Sequence, residues 1–465
     1  MQQQGIEQSI QSANKVHFIG IGGISMSALA LILRSRGYEV SGSDMNTDSF
    51  RKLEEAGVTV FHGHHPDNIQ DADLVVYTAA IRADNPELTA ARARGVQCYE
   101  RKDLLGALMR QFSCPIGIAG THGKSTTTSM LSCIMLDAGL DPTITVGANL
   151  PQIQSNFHLG TQKYFIFESD EYAASFLKFY PKISIILNID EDHLDFYKDM
   201  HEITATFEKY ILENTAKDGI VIINQDDANC RKVVEKFQGQ VVTFGLYKGD
   251  YHASNIHYRN GFASFDLIYK NKKLCGIALQ VPGEHNIRNA VAAAACAHTL
   301  KVGLQNVISG LHQFRGAQRR FEIKGRTELF TVVDDYAHHP SEIEATLKAA
   351  RNMDYDKIIL IFQPHTYSRT KALMPKFRQA LSLADNVILC DIYAARELED
   401  KEVSSRLLAS QIEGAVYASS FAEAARAAKE AAVPNSLILT MGAGDVYKTA
   451  ELLLEEDERV APFPN

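Results

Sequence analysis

The chain has 465 residues, 45% hydrophobic and 22% charged, with a formal net charge of −9. Those proportions exclude a disordered chain, a collagen-like repeat and a small disulfide scaffold. The acidic balance argues against a nucleic-acid binder, while leaving room for a local basic pocket for phosphates. At roughly 150 residues per domain, the length predicts three domains. The seven cysteines contain no C-x-x-C pair and read as the reduced thiols of a cytosolic protein. Met1-Gln2-Gln3-Gln4-Gly5 lacks the positive region and apolar core of a signal peptide, and apolar runs such as Ile183–Leu187 fall far short of the roughly 20 residues of a membrane span. The expectation is a cytoplasmic, multidomain α/β protein with no membrane partner.

The first unit opens with the apolar run Val16–Ile19. It enters the turn Gly20-Ile21-Gly22-Gly23-Ile24-Ser25 and a helix-like stretch to Arg36 that Gly37 stops. Strands follow at Glu39–Ser43, Leu74–Thr78 and Gln97–Tyr99, and their alternation with helices predicts a parallel sheet. The glycine turn is a degenerate dinucleotide fingerprint, with Ser25 in the third glycine position. It suits any diphosphate-linked nucleoside, a UDP-sugar included, and Asp44 is placed to bond a ribose hydroxyl; a glycine turn without ligand is the other reading. This unit is assigned residues 1–112.

The second unit restarts at Ile116–Ala119, an apolar strand entering Gly120-Thr121-His122-Gly123-Lys124-Ser125-Thr126 and then a helix. In such a loop the backbone N–H groups and the helix N-terminus cradle phosphates, Lys reaches the β- and γ-phosphates and the Ser hydroxyl ligates Mg²⁺. The strict phosphate-loop spacing is not kept, because Ile118 holds the place of the first glycine. Strands at Tyr164–Glu168 and Ile183–Asn188 run into Glu168-Ser169-Asp170-Glu171 and Asp190-Glu191-Asp192-His193. Two strands thus deliver acids and an imidazole to one sheet edge, where open α/β sheets bind ligands. Beside a phosphate loop this favours metal binding, with His193 open to a second reading as a general base or a structural loop histidine. Asn260-Gly261 signals a hairpin, and an Ala-rich helix runs from Asn286 to about Leu300. The unit is assigned 113–324.

The third unit, 325–465, has strands at Thr331–Asp335, Lys357–Phe362, Asn386–Asp391 and Ser436–Thr440. His338-His339-Pro340 and His365–Arg369 follow successive strands. Pro340 is expected to set a turn and Ser341 to cap the next helix. Arg369 suits a bidentate grip on a carboxylate, against the reading of a solvated Arg beside structural histidines. His338 or His339 could orient or deprotonate an amine; the pair also suggests a metal, although no third ligand stands at suitable spacing.

Taken together these motifs resemble the Mur ligase family, ATP-dependent amide ligases of peptidoglycan precursor synthesis. The resemblance is carried by His17–Met26, Gly120–Thr127, Asn188–Asp195, Gly283-Glu284-His285-Asn286-Ile287-Arg288-Asn289, Arg319–Glu322, Asp334–Pro340 and Phe362–Thr370, in family order along nearly the whole chain. It implies an N-terminal Rossmann-like UDP-sugar domain, a central P-loop ATPase-like mixed sheet and a C-terminal Rossmann-like amino-acid domain. Within the family, the chain looks most like the members that join L-alanine to UDP-N-acetylmuramate through an acyl phosphate, with ATP and Mg²⁺. The resemblance implies Ser125, Glu168 and His193 as metal ligands, and Lys124 and Arg320 as the cations on the moving phosphate. Asn286, Arg320 and Asp335 would then lie at the nucleotide, Gly20–Ser25 and Asp44 at the sugar nucleotide, and Arg369 with His338 at the amino acid. Two departures stand out: Ser25 replaces a glycine, and Thr366 stands where some relatives carry Arg. Lys209, sixteen residues after His193, is not assigned to the carbamylated lysine that other members use. The rival readings are a recycling ligase that adds a tripeptide to the same sugar, a phosphate-loop switch protein, and a dinucleotide oxidoreductase.

Overall fold

A computed structural model describes residues 2–194, 196–395 and 397–455. Asp195, at the end of Asn188–Asp195, lies outside the described residues, as do the side chains of Gln2, Gln3, Gln4 and Ile24. Three sheets follow one another along the chain.

The first sheet contains β1 (Lys15–Ile19), β2 (Glu39–Asp44), β3 (Thr59–His62), β4 (Leu74–Tyr77) and β5 (Gln97–Glu100). The order is β3-β2-β1-β4-β5, all parallel. β1 is central and is buried from Val16 to Ile19 because both of its faces are covered. Strand β3, with no residue buried, carries too weak a pattern to be read from the sequence.

A polar network is buried in this unit. Asn85 caps the helix Pro86–Ala93 by accepting from the N–H groups of Glu87 and Leu88. The first turn therefore carries Glu87 into the core, where it is fully buried. Its carboxylate accepts from Ser43 Oγ (2.5 Å), Asn68 Nδ2 (2.6 Å) and the His65 N–H (3.2 Å). Nδ1 of His64 and Nε2 of His17 stand 3.3 and 3.7 Å from Oε2. Burial pushes the carboxyl up, but His17, Ser43 and Asn68 outweigh it and hold it at about 2, below the ordinary 4.5. A depressed carboxyl contributes stability that is present above pH 4.5 and lost as pH falls towards 2. Two and a half pH units correspond to about 3 kcal/mol. The stability difference between wild type and Glu87→Gln, from urea unfolding, should approach that value at pH 7 and shrink as pH falls from 4.5 towards 2; a difference independent of pH would contradict it.

The second sheet has ten strands: β6 (Cys114–Ala119), β7 (Pro142–Leu150), β8 (Ser155–His158), β9 (Thr161–Ser169), β10 (Ile183–Ile186), β11 (Ile220–Asn224), β12 (Gln240–Phe244), β13 (Tyr251–Arg259), β14 (Phe262–Tyr269) and β15 (Lys272–Pro282). It is mixed, as expected, in the order β15-β14-β13-β12-β11-β10-β6-β9-β7-β8. β6 and its neighbours are parallel, while β8, β14 and β15 run antiparallel to their partners. Arg259 pairs with Phe262 across Asn260-Gly261, both with positive φ (49° and 77°), as a tight two-residue hairpin requires. The helices Lys124–Asp137 and Glu284–Thr299 belong to one core with the strands around β6. The Ala-rich second helix buries Ala290 and Ala292–Ala297 there.

The third sheet, β16 (Glu322–Arg326), β17 (Phe330–Asp335), β18 (Lys357–Phe362), β19 (Asn386–Leu389), β20 (Val416–Tyr417) and β21 (Ser436–Met441), has the order β16-β17-β21-β18-β19-β20. Only β16 is antiparallel, and the expected boundary at 325 falls inside it.

Candidate active site

The C-terminal edge of the first sheet carries the Gly20–Ser25 turn. Asp44 ends β2, and its carboxylate accepts from the Gly22 N–H (2.8 Å) and the Asn46 N–H (2.9 Å). A Cβ on Gly22 would lie 2.4 Å from the Asn46 carbonyl, so only glycine fits against Asp44. In this structure Asp44 therefore shapes the glycine turn. Gly23 precedes the helix Ile24–Ser35, and Ser25 Oγ accepts from Arg101 Nη1 at 2.9 Å.

The turn after β6 is braced from β10. Strand β10 ends at Ile186, two residues before its expected end, which frees Asn188. The Asn188 side chain accepts from the His122 N–H (2.8 Å) and donates to the His122 carbonyl (2.9 Å). Gly123 adopts φ +85° ahead of the helix Lys124–Asp137, so that Thr121–Gly123 wrap over the helix N-terminus. Lys124 Nζ donates to the Gly120 carbonyl (2.7 Å) and to Glu171 Oε2 (2.8 Å). Burial opposes its charge, but the Glu171 carboxylate outweighs burial and holds Lys124 above its ordinary range.

Glu168, near the end of β9, accepts from the Gly147 N–H at 2.5 Å. A Cβ on Gly147 would stand 3.1 Å from Glu168 Oε1 and 3.4 Å from Ser125 Oγ, so these oxygens flank one small space. His193 lies instead with Asp170 and Glu171, the three offering ligand atoms within 4.8 Å of one another. It adopts φ +56°, and its Nε2 is 3.7 Å from Glu171 Oε1. The edge is rich in oxygen donors, which suits a hard cation such as Mg²⁺.

Between the second and third sheets lies a cavity of about 270 Å³. His122, Gly123, Thr126, Asn286, Arg320 and Asp335 line it together. Asn286 is in the first turn of its helix, which Gly283 rather than Asn286 precedes, and its amide donates to the Pro282 carbonyl (2.7 Å). Both Asp335 oxygens accept backbone N–H groups, from Phe321 (2.8 Å) and Ala337 (2.7 Å). Burial lifts its carboxyl to about 6 against the pull of Arg320. The two adjacent arginines divide their tasks. Arg319 bonds Asp334 and the carbonyls of Gly442 and Gly444 between the rings of Tyr336 and Tyr447. Arg320 lines the cavity, 3.8 Å from Glu342.

The third unit meets this edge through charged cross-links. Asp190, Glu191 and Asp192 each bond a different side chain of it: Ser341 Oγ (2.7 Å), Lys376 Nζ (2.9 Å) and Arg369. Arg369 gives Nε (3.0 Å) and Nη2 (2.9 Å) to a single Asp192 oxygen, and Nη1 lies 3.2 Å from His365. The expected fork is therefore partly engaged by the protein itself. A second cavity of about 360 Å³ lies here, lined by His193, His365, Thr366 and Arg369 among others.

The histidine pair separates by role. His339, not Ser341, caps the helix Pro340–Arg351: its Nδ1 accepts from the Ser341 N–H, while its Nε2 donates to the Glu191 carbonyl at 3.0 Å. His338 donates from Nδ1 to the Tyr336 carbonyl (3.0 Å), and burial lowers it to about 4, so its Nε2 is an unprotonated acceptor. Thr366, at φ +67°, caps the turn that carries Arg369. His122 is held protonated: burial opposes its charge, but Asp190 and Glu342 on either side lift it to about 9.

Residues 15–113 match the "Mur ligase family, catalytic domain", 118–297 the "Mur ligase middle domain" and 319–444 the "Mur ligase, glutamate ligase domain". The chain belongs to the Mur ligase family. A UDP-N-acetylmuramate–L-alanine ligase of Acetivibrio thermocellus is 46% identical over 464 residues, covering 97% of this chain and 99% of the relative. One from Clostridium novyi is 49% identical over 446 residues, covering 95% and 97%. Among solved structures, the UDP-N-acetylmuramate–alanine ligase of Thermotoga maritima superposes with a TM-score of 0.78 at 31% identity, covering 95% of this chain and 98% of that one. A murein peptide ligase of Psychrobacter arcticus gives 0.73 at 26%, with the same coverage. The three-sheet α/β architecture is that of a Mur ligase.

Several residues at this Mur ligase site escaped the sequence reading. Glu342 gathers His122, His338 and Arg320, yet in sequence it is one acid on an amphipathic helix. Arg288 and Asn289 line the first cavity; they stand in the quoted Gly283–Asn289 motif, which was the available signal.

Proposed function

We propose that this Mur ligase joins L-alanine to the lactyl carboxylate of UDP-N-acetylmuramate: ATP + UDP-N-acetylmuramate + L-alanine → ADP + phosphate + UDP-N-acetylmuramoyl-L-alanine. The observation that carries the reading is the junction itself. A braced phosphate loop, an oxygen-rich metal edge and an Arg- and His-lined cavity converge between the second and third sheets, in a chain nearly half identical to ligases of that name. Residues 1–112 would hold the UDP-sugar, 113–324 the ATP and 325–465 the amino acid, in the cytoplasm.

ATP would occupy the first cavity, with Asn286 near the adenine, Asp335 and Arg320 along the nucleotide and Gly120–Thr126 at the phosphates. The lactyl carboxylate attacks the γ-phosphorus; the bond to the β–γ bridging oxygen breaks, ADP leaves and an acyl phosphate forms. Two anions must approach, so Lys124 and Arg320 stabilise the charge that builds on the moving phosphoryl group. Glu171 keeps Lys124 charged and aimed into the loop before substrate arrives. Ser125, Glu168 and His193 would hold Mg²⁺, with Asp170 and Glu171 beside His193; when bound, the ion neutralises phosphate charge. In the second half-reaction the amine attacks the acyl carbon, inorganic phosphate leaves and the amine loses a proton. Arg369 would hold the L-alanine carboxylate, and His338 Nε2 is the available acceptor for orienting the amine. His339, with both nitrogens engaged, is left a structural role.

The test is phosphate release with UDP-N-acetylmuramate and L-alanine separately, together, and with tripeptide in place of L-alanine, read with mass spectrometry of the product. Release that needs both substrates, with a product heavier by one alanyl residue, is expected. Faster turnover of the tripeptide would select the recycling reading, and hydrolysis indifferent to the sugar would select a switch protein. For the metal edge, Glu168→Gln should raise the Mg²⁺ concentration for half-maximal rate by about tenfold or more. Unchanged magnesium dependence would shift the ligand role to Asp170 or Glu171.

A further inference from the structure

Arg101 begins the helix Arg101–Met109 directly after β5, at the same sheet edge as the Gly20–Ser25 turn. Its neighbours in sequence are all committed elsewhere. Glu100 pairs with Lys102 at 2.8 Å, and Asp103 with Lys178 at 3.3 Å. Asp170, across the junction with the second sheet, accepts from the Tyr172 N–H. Among the described residues no carboxylate forms an ion pair with Arg101, and the hydrogen bond it makes is to Ser25 Oγ, at 2.9 Å. A guanidinium has five N–H donors, so most of this fork is unused.

The position gives those unused donors a meaning. On one side Ser25 stands in the first turn of the helix behind the glycine loop, where N–H groups point at an anion. On the other side lies the Asp170, Glu171 and His193 cluster. The helix is pinned there, since Gly106 packs against the Lys178 carbonyl so closely that a Cβ would come within 2.1 Å of it. A partly buried guanidinium without a close ion-pair partner gains when an anion joins it. Burial does pull Arg101 below its ordinary range, with Asp170 and Glu100 opposing that only in part. Ser25, which replaces the third glycine of the fingerprint, thereby acquires a reason: a glycine there could not hold the guanidinium.

We propose that Arg101, held by the Ser25 hydroxyl, binds an anionic group of the sugar nucleotide between the glycine loop and the acidic edge of the second sheet. This inference rests on the sugar-nucleotide reading above. The group is a diphosphate or a carboxylate, and both are present in UDP-N-acetylmuramate.

Calorimetric titration of wild type, Arg101→Ala, Arg101→Lys and Ser25→Ala with UDP, UDP-N-acetylglucosamine and UDP-N-acetylmuramate decides the matter. Arg101→Ala should weaken UDP-N-acetylmuramate binding by about tenfold or more, the range of one charge-assisted hydrogen bond. Arg101→Lys, which keeps the charge and loses the fork, and Ser25→Ala, which frees the guanidinium, should weaken it less. An equal loss on all three ligands assigns the diphosphate; a loss confined to UDP-N-acetylmuramate assigns the lactyl carboxylate. ATP affinity, measured in parallel, should stay within about twofold of wild type and reports that each variant is folded. Wild-type affinity for all three ligands in folded Arg101→Ala would overturn the inference. If that variant does not fold, wild-type affinity in folded Arg101→Gln, which removes the charge but keeps most of the side chain's length, overturns it equally. Wild-type protein that bound none of the three would instead overturn the sugar-nucleotide reading, and this inference with it.

Discussion

Lys124→Ala should abolish ligation, with a fall in turnover on the order of 10³-fold or more, because it removes a positioned cation from phosphates whose charge shifts in the transition state. The structure adds a second consequence. Lys124 is the close ion-pair partner of Glu171, which is 2% exposed. Removing one member of a buried pair leaves the other uncompensated, a loss of about 3–5 kcal/mol unless Glu171 takes up a proton. Lost turnover alone would therefore not separate catalysis from folding. Lys124→Ala/Glu171→Gln should recover much of the thermal stability without recovering turnover. Near-normal turnover in either folded variant would refute the role given to Lys124. Lys124→Arg should fold well yet remain slow, since the tight pocket between the Gly120 carbonyl and Glu171 fits a compact ammonium better than a planar fork.

Arg369→Ala should raise the L-alanine requirement about 100-fold while changing the ATP requirement little, the loss expected for a charge-assisted carboxylate grip of about 3 kcal/mol. The same side chain spends Nε and Nη2 on Asp192. That contact fixes the guanidinium plane on the central unit, while Nη1, 3.2 Å from His365, lies at the second cavity that both residues line. Arg369→Lys should also be impaired, because an ammonium cannot serve Asp192 and a substrate carboxylate in one plane. Steady-state kinetics varying one substrate at a time decide between sites. A defect confined to ATP, with the L-alanine dependence unchanged, would move Arg369 to the phosphate side. A defect shared equally by Asp192→Asn in every kinetic parameter would reduce the Arg to an inter-unit strut.

What the sequence determined by itself was everything encoded by short-range pattern. The restarts at Val16, Ile116 and Thr331 mark three sheets, because buried parallel strands are largely apolar on both faces, and the glycine turns after the first two need backbone freedom. The phosphate loop, the acids after β9 and β10, and the Asn260-Gly261 hairpin were readable for the same reason: their residues are contiguous. What only the tertiary structure decided was pairing between distant charges. Which of Arg319 and Arg320 faces the cavity depends on Asp334 and on carbonyls more than a hundred residues away. Which histidine of His338-His339 keeps a free nitrogen depends on the Glu191 carbonyl. Ser25 reads in sequence as an imperfect glycine position, and in the fold its hydroxyl holds Arg101. A hydrogen bond forms wherever two groups meet in space, and sequence spacing carries no record of that meeting.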